Sequence, residues 1–100
     1  MTDVTMYTHS SLQVWASWRD DGELVIHGQD LHGPYGGGEY EYYLTVPTDQ
    51  LHLVAQDIGA DPKSPTAFLQ RLVEHGHRIG AMGEATWLKS LGVTARFCSW

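Results

Sequence analysis

The chain is 100 residues long, 42% hydrophobic and 18% charged, which excludes a disordered polymer and fits a single domain over residues 1–100. Twelve acids against six Lys and Arg give a net charge of -6, and the lone Cys98 excludes an internal disulfide framework. No apolar run reaches the ~18 residues of a membrane span, and Met1-Thr2-Asp3 lacks the basic start of a signal peptide, so a cytoplasmic protein without a membrane partner is expected.

Val4, Met6 and Thr8 alternate with Thr5 and Tyr7, the period of a short strand. Leu12, Val14, Ala16 and Trp18 then alternate with Gln13, Trp15 and Ser17. Asp20-Asp21-Gly22 supplies turn chemistry before Leu24 and Ile26 resume the apolar face, so residues 12–30 read as a hairpin. His32 to Gly38 cannot continue a strand. From Glu39 to Val46, Tyr40, Tyr42, Leu44 and Val46 share one face, and Glu39, Glu41, Tyr43 and Thr45 share the other.

At Pro47 the period changes. Thr48 is the expected N-cap of a helix whose stripe is Leu51, Val54, Ala55 and Ile58, ending at Gly59. Ser64-Pro65 opens a second helix, with Phe68, Leu69, Leu72 and Val73 inward and a stop at Gly76. A third, short helix near residues 84–91 buries Trp87, Leu88 and Leu91. Val93, Ala95 and Phe97 then alternate in a last strand. The expected fold is α+β, an antiparallel sheet of about four to five strands, N-terminal strands plus a C-terminal one, with three helices on one face. The expected core is Leu12, Val14, Trp18, Leu24, Ile26, Tyr40, Tyr42, Leu44, Leu51, Val54, Ile58, Phe68, Leu72, Trp87, Leu88, Leu91 and Phe97.

The charge is uneven. Residues 1–50 hold eight acids and one base, Arg19, whereas residues 51–100 hold four acids and five bases. Six acids and no Lys or Arg lie between Asp20 and Glu41. That field repels phosphate backbones, so nucleic acid is not the expected partner, and it attracts a basic protein surface.

Motifs for chemistry are sparse. The Gly33–Gly38 stretch has no Gly-Lys-Ser/Thr ending and precedes a strand, so it reads as a loop rather than a phosphate cradle. Among His27, His32, His75, His77 and Cys98 no zinc spacing appears, and no cofactor or metal is expected; His27, Asp30 and His32 form the best metal cluster if one exists. No Gly-x-Ser-x-Gly elbow is present, and Cys98 reads as a small strand residue rather than a nucleophile. Glu39 and Glu41 share a strand face, which reads as solvated rather than as an acid–base pair. Seven of the eleven aromatics fall in the acidic half. Trp15 and Tyr43 are out of phase with their strands' apolar faces, and Tyr35 sits in the Gly-rich loop.

The stretch Glu23-Leu24-Val25-Ile26-His27-Gly28-Gln29-Asp30-Leu31, the Tyr-rich run from Glu39 to Pro47, and the ending through Trp87-Leu88, Leu91-Gly92-Val93 and Arg96-Phe97-Cys98-Ser99-Trp100 resemble small bacterial immunity-type proteins that accompany secreted toxins. The resemblance implies an inhibitor that binds its toxin and carries no catalytic residues. The leading expectation is therefore a non-enzymatic module that neutralises a basic toxin domain. Its partner-binding residues would be Trp15, Asp20, Asp21, Glu23, Asp30, Tyr35, Glu39, Glu41 and Tyr43. Two alternatives stand beside it: a small enzyme or metal protein using His27, Asp30 and His32, and a subunit, such as a homodimer, paired through its sheet edge.

Overall fold

Alternation of apolar and polar residues places five strands of the described chain in one sheet. The computed structural model describes residues 3–9, 11–31 and 40–99. Its strands are β1 (Val4–His9), β2 (Leu12–Trp18), β3 (Leu24–Asp30), β4 (Tyr40–Val46) and β5 (Arg96–Ser99). They lie in the order β1-β2-β3-β4-β5, and every neighbouring pair is antiparallel. The β2–β3 turn forms at Asp20-Asp21-Gly22, where Gly22 takes a φ of 88° and the Glu23 N–H donates to Asp21 Oδ1 at 3.0 Å.

Between β4 and β5 the chain makes a short 3-10 turn (Thr48–Gln50) and then α1 (Leu51–Ile58), α2 (Pro65–Glu74), α3 (Gly76–Met82) and α4 (Glu84–Ser90). The class is α+β as expected, with four helices instead of three. Met6, Val14, Ala16, Leu24, Ile26, Leu44 and Val46 from one sheet face form a single core cluster with Leu51, Val54, Ile58, Phe68, Leu72, Ile79, Trp87 and Leu88 from the helices. Each large side chain fully removed from water there contributes roughly 1.5–3 kcal/mol. The indole N–H groups that enter this layer are satisfied. Trp87 Nε1 donates to Asp57 Oδ2 at 3.0 Å, and Trp18 Nε1 donates to the Pro65 carbonyl at 3.1 Å.

The extra helix is α3. Gly76 begins it instead of ending α2, because at this point the helix backbone touches the sheet. A Cβ on Gly76 would stand 1.7 Å from the Met6 carbonyl oxygen, at the irregularity in β1–β2 pairing between Thr5 and Tyr7. One turn on, a Cβ on Gly80 would stand 2.6 Å from the Tyr7 ring.

Other expectations are corrected by the packing. Thr48 belongs to the 3-10 turn after Pro47 and does not cap α1. Val73 is exposed, on the flank of α2 beyond its Phe68–Leu69–Leu72 stripe. β5 starts at Arg96 and not at Val93, because the Val93 N–H is held by the Leu88 carbonyl (3.0 Å) and the Thr94 N–H by Gln50 Oε1 (2.6 Å). Phe97 is 57% exposed and not core, because it stands on a four-residue edge strand whose residues are all exposed. Leu12, Trp18, Tyr42 and Leu91 are half-buried against the cluster, and Tyr40 is half-buried apart from it. No helix among the described residues is long and apolar enough to cross a membrane.

Candidate functional site

The parity that sends one set of side chains under the helices sends the other set to a face that none of the described helices covers. Across it, Thr5, Trp15, His27, Tyr43 and Cys98 stand opposite one another in a row that crosses all five strands. The three rings in this row pack together. His27 and Tyr43 stack with centroids 4.3 Å apart and an interplanar angle of 11°, and Trp15 tilts against His27 at 5.0 Å. Cross-strand ring pairs of this kind stabilise a sheet and also hold each ring in one rotamer.

Polar rows flank the rings. On one side Gln13, Gln29 and Glu41 are in register, and Gln29 Nε2 donates to Glu41 Oε1 at 3.4 Å. The other carboxylate oxygen, Glu41 Oε2, lies 3.8 Å from His27 Nε2. That ring nitrogen is enclosed and makes no hydrogen bond among the described residues. A shift of about 1 Å would bring Glu41 into hydrogen-bond range of it. Burial first, then the Glu41 charge and Cys98, push the Tyr43 phenol above its ordinary range. On the other side Val25 and Thr45 are buried although no described helix covers them. Arg96, opposite Thr45, reaches over β4 and donates both Nη1 (3.0 Å) and Nη2 to the Glu23 carboxylate. The Glu23 hydrogen bonds and charge raise the Arg96 pKa above its ordinary value.

The structure sorts the expected site residues. Trp15, Glu41 and Tyr43 come together on the open face. Asp20 and Asp21 lie at the β2–β3 turn, exposed. Glu23 is engaged by Arg96, and Arg19 Nε lies 3.8 Å from both Glu23 and Asp21. Asp30 is separated from this group, because it pairs in register with Leu12 and Tyr40 on the helix side and accepts a 2.7 Å hydrogen bond from Ser11 Oγ. Tyr35, Glu39 and His32 lie outside the described residues. The proposed metal cluster is split as well, since His27 and Asp30 are three residues apart in one strand and face opposite sides of the sheet. Among the described residues no three His, Cys, Asp or Glu side chains gather at a metal-sized spacing. Tyr43 stands between Cys98 and His27, which puts thiol and imidazole two strand spacings apart, about 4.8 Å each.

The residue that sequence reasoning left out of the site is His27, at the centre of the ring row. A signal for it existed. A tight turn centred on Asp21 fixes the register that puts Trp15 opposite His27. The chain matches no protein-family model, no curated protein and no solved structure.

Proposed function

We propose that this chain is a non-enzymatic binding module that engages the basic surface of a partner protein through the open face of its sheet. The observation that carries the reading is the Trp15–His27–Tyr43 row, three rings in mutual contact and only partly buried on a face free of described helices. Rings already fixed by their neighbours lose little freedom on docking, and Trp and Tyr are common interface anchors. Glu41 beside the row, Asp20 and Asp21 at the turn, and the net charge of -6 give the field that steers a basic partner. Joined to the resemblance in residues 23–31 and 39–47, this supports the finer reading of a cytoplasmic immunity protein that occludes a basic toxin domain and needs no cofactor.

Binding kinetics against the partner recovered from the source cell test it. Trp15→Ala and Tyr43→Ala should each speed dissociation about 30-fold, the equivalent of roughly 2 kcal/mol for an anchor. The Asp20→Asn, Asp21→Asn, Glu41→Gln triple variant should slow association, and added salt should slow the wild type in the same way. Association indifferent to salt, with dissociation unchanged in both aromatic variants, would move the interface off this face.

A further inference from the structure

On the helix side of the sheet, α4 begins over the corner made by β4 and β5. There Tyr40, Tyr42 and Phe97, together with Gly83, Glu84 and Thr86, line a recess of about 260 Å³. Sites for drug-sized ligands run to about 300–1,000 Å³, so this one suits a single small head group.

Two features define its chemistry. The first is aromatic. The Tyr42 and Phe97 rings stack with centroids 6.3 Å apart, and Tyr40 lies 5.9 Å from Tyr42. Tyr42 is pinned by its close approach to Gly28, where a Cβ would come within 2.1 Å of the Tyr42 Cζ. The second feature is Glu84, only 8% exposed, whose Oε2 accepts a 2.9 Å hydrogen bond from the Tyr42 hydroxyl. Burial first, and then the Glu84 charge, push the Tyr42 phenol far above its ordinary range, so it stays a donor.

Among the described residues no Lys, Arg or His forms an ion pair with Glu84. Its place in the first turn of α4 gives it favourable interaction with free N–H groups, which accounts for a carboxylate at that position. It does not account for the aromatic recess opening beside that carboxylate. Three aromatic side chains and a nearly buried carboxylate lining one recess together favour a cation. We propose that the Tyr40–Tyr42–Phe97–Glu84 recess binds the head group of an organic cation, an ammonium or a guanidinium. The site is on the opposite side of the sheet from Trp15, His27 and Tyr43, and it stands whether or not that face binds a protein.

The test is NMR of the full chain, following the Tyr42 and Phe97 ring signals during titration. The probes are tetramethylammonium, N-acetyl-lysine methylamide and N-acetyl-arginine methylamide, with neopentyl alcohol as the neutral shape control. At least one cation should shift both rings saturably, and the alcohol should leave them in place. The arm that responds tells a free quaternary ammonium from a peptide-borne Lys or Arg. Glu84→Gln should weaken binding at least about tenfold. Phe97→Ala, at an exposed position that spares the core, should weaken it in the same direction and serves if Glu84→Gln does not fold. The proposal is overturned if no cation saturates, if the alcohol binds equally well, or if the folded variants bind as tightly as the wild type.

Discussion

Gly76 sets how closely the helical layer approaches the sheet, and it does so by lacking a side chain. Backbone lies 1.7 Å from where its Cβ would be, and backbone cannot swing aside. Gly76→Ala should therefore cost about 3 kcal/mol, as overpacking of a rigid contact does. Gly59→Ala is the matched control, with a φ of 70° but open space around it, and should cost only about 1 kcal/mol by urea denaturation. Equal losses would mean that the α3–β1 contact is not tight. Asp57 is a second decisive residue, joining α1 to α3 and α4. Burial alone would raise its carboxyl, but hydrogen bonds from Arg78 (2.8 Å) and Trp87 (3.0 Å) prevail and hold it below the usual range. A group with its folded pKa below its unfolded one adds stability above the ordinary carboxyl range and loses it as pH falls below about 4. Asp57→Asn should lower the urea midpoint at neutral pH and flatten its decline on acidification. An unchanged acid limb would remove Asp57 from that role. Neither residue was legible beforehand. A glycine after an apolar stripe reads as a helix stop, and only the approach of β1 turns it into a contact.

At the scale of elements, the strands were the most legible part of the chain, because a period of two is set by the backbone itself and the β2–β3 turn residues fix its register. The helices α1, α2 and α4 followed from their apolar stripes. α3 did not, for its only fully buried large side chain is Ile79 and its other inward positions are glycines. β5 begins later than the alternation from Val93 suggests, since Val93 is buried where it is tied to the end of α4, and no local pattern separates this from burial in a sheet. The open face was legible in part. Trp15 and Tyr43 show themselves by falling out of phase, while His27 stands out along the chain only beside Asp30 and His32, because its ring partners lie across the sheet. The elements should also differ in opening. β3 is paired on both sides, and Leu24 and Ile26 are fully buried within it, whereas all four residues of β5 are exposed and β4 is its only partner among the described strands. Amide exchange of β3 should approach global unfolding, and β5 should exchange at least about a hundredfold faster. Similar protection in the two strands would contradict the view of β5 as a thin edge.

Across the whole molecule, the fold redistributes the charge that the sequence segregates. Arg96, from the basic half, crosses the sheet to Glu23, and Arg19 lies between Glu23 and Asp21. The acidic field is therefore milder around Glu23 and Asp21 than counting suggests, and Asp20 and Glu41 carry most of the charge left to steer the proposed partner. One layer of helices covers one face of the sheet, and the other face presents fixed rings with acids at its margin. The central claim is that this second face is where a basic protein docks. Site-specific photocross-linking in the source cell tests it most directly, with the reactive group placed at Gln13 on the open face or at Gln70 on the outer side of α2, both exposed. The account predicts a discrete adduct with a basic protein from position 13 and none from position 70. An adduct from position 70 alone, or equal yields from both, would contradict it.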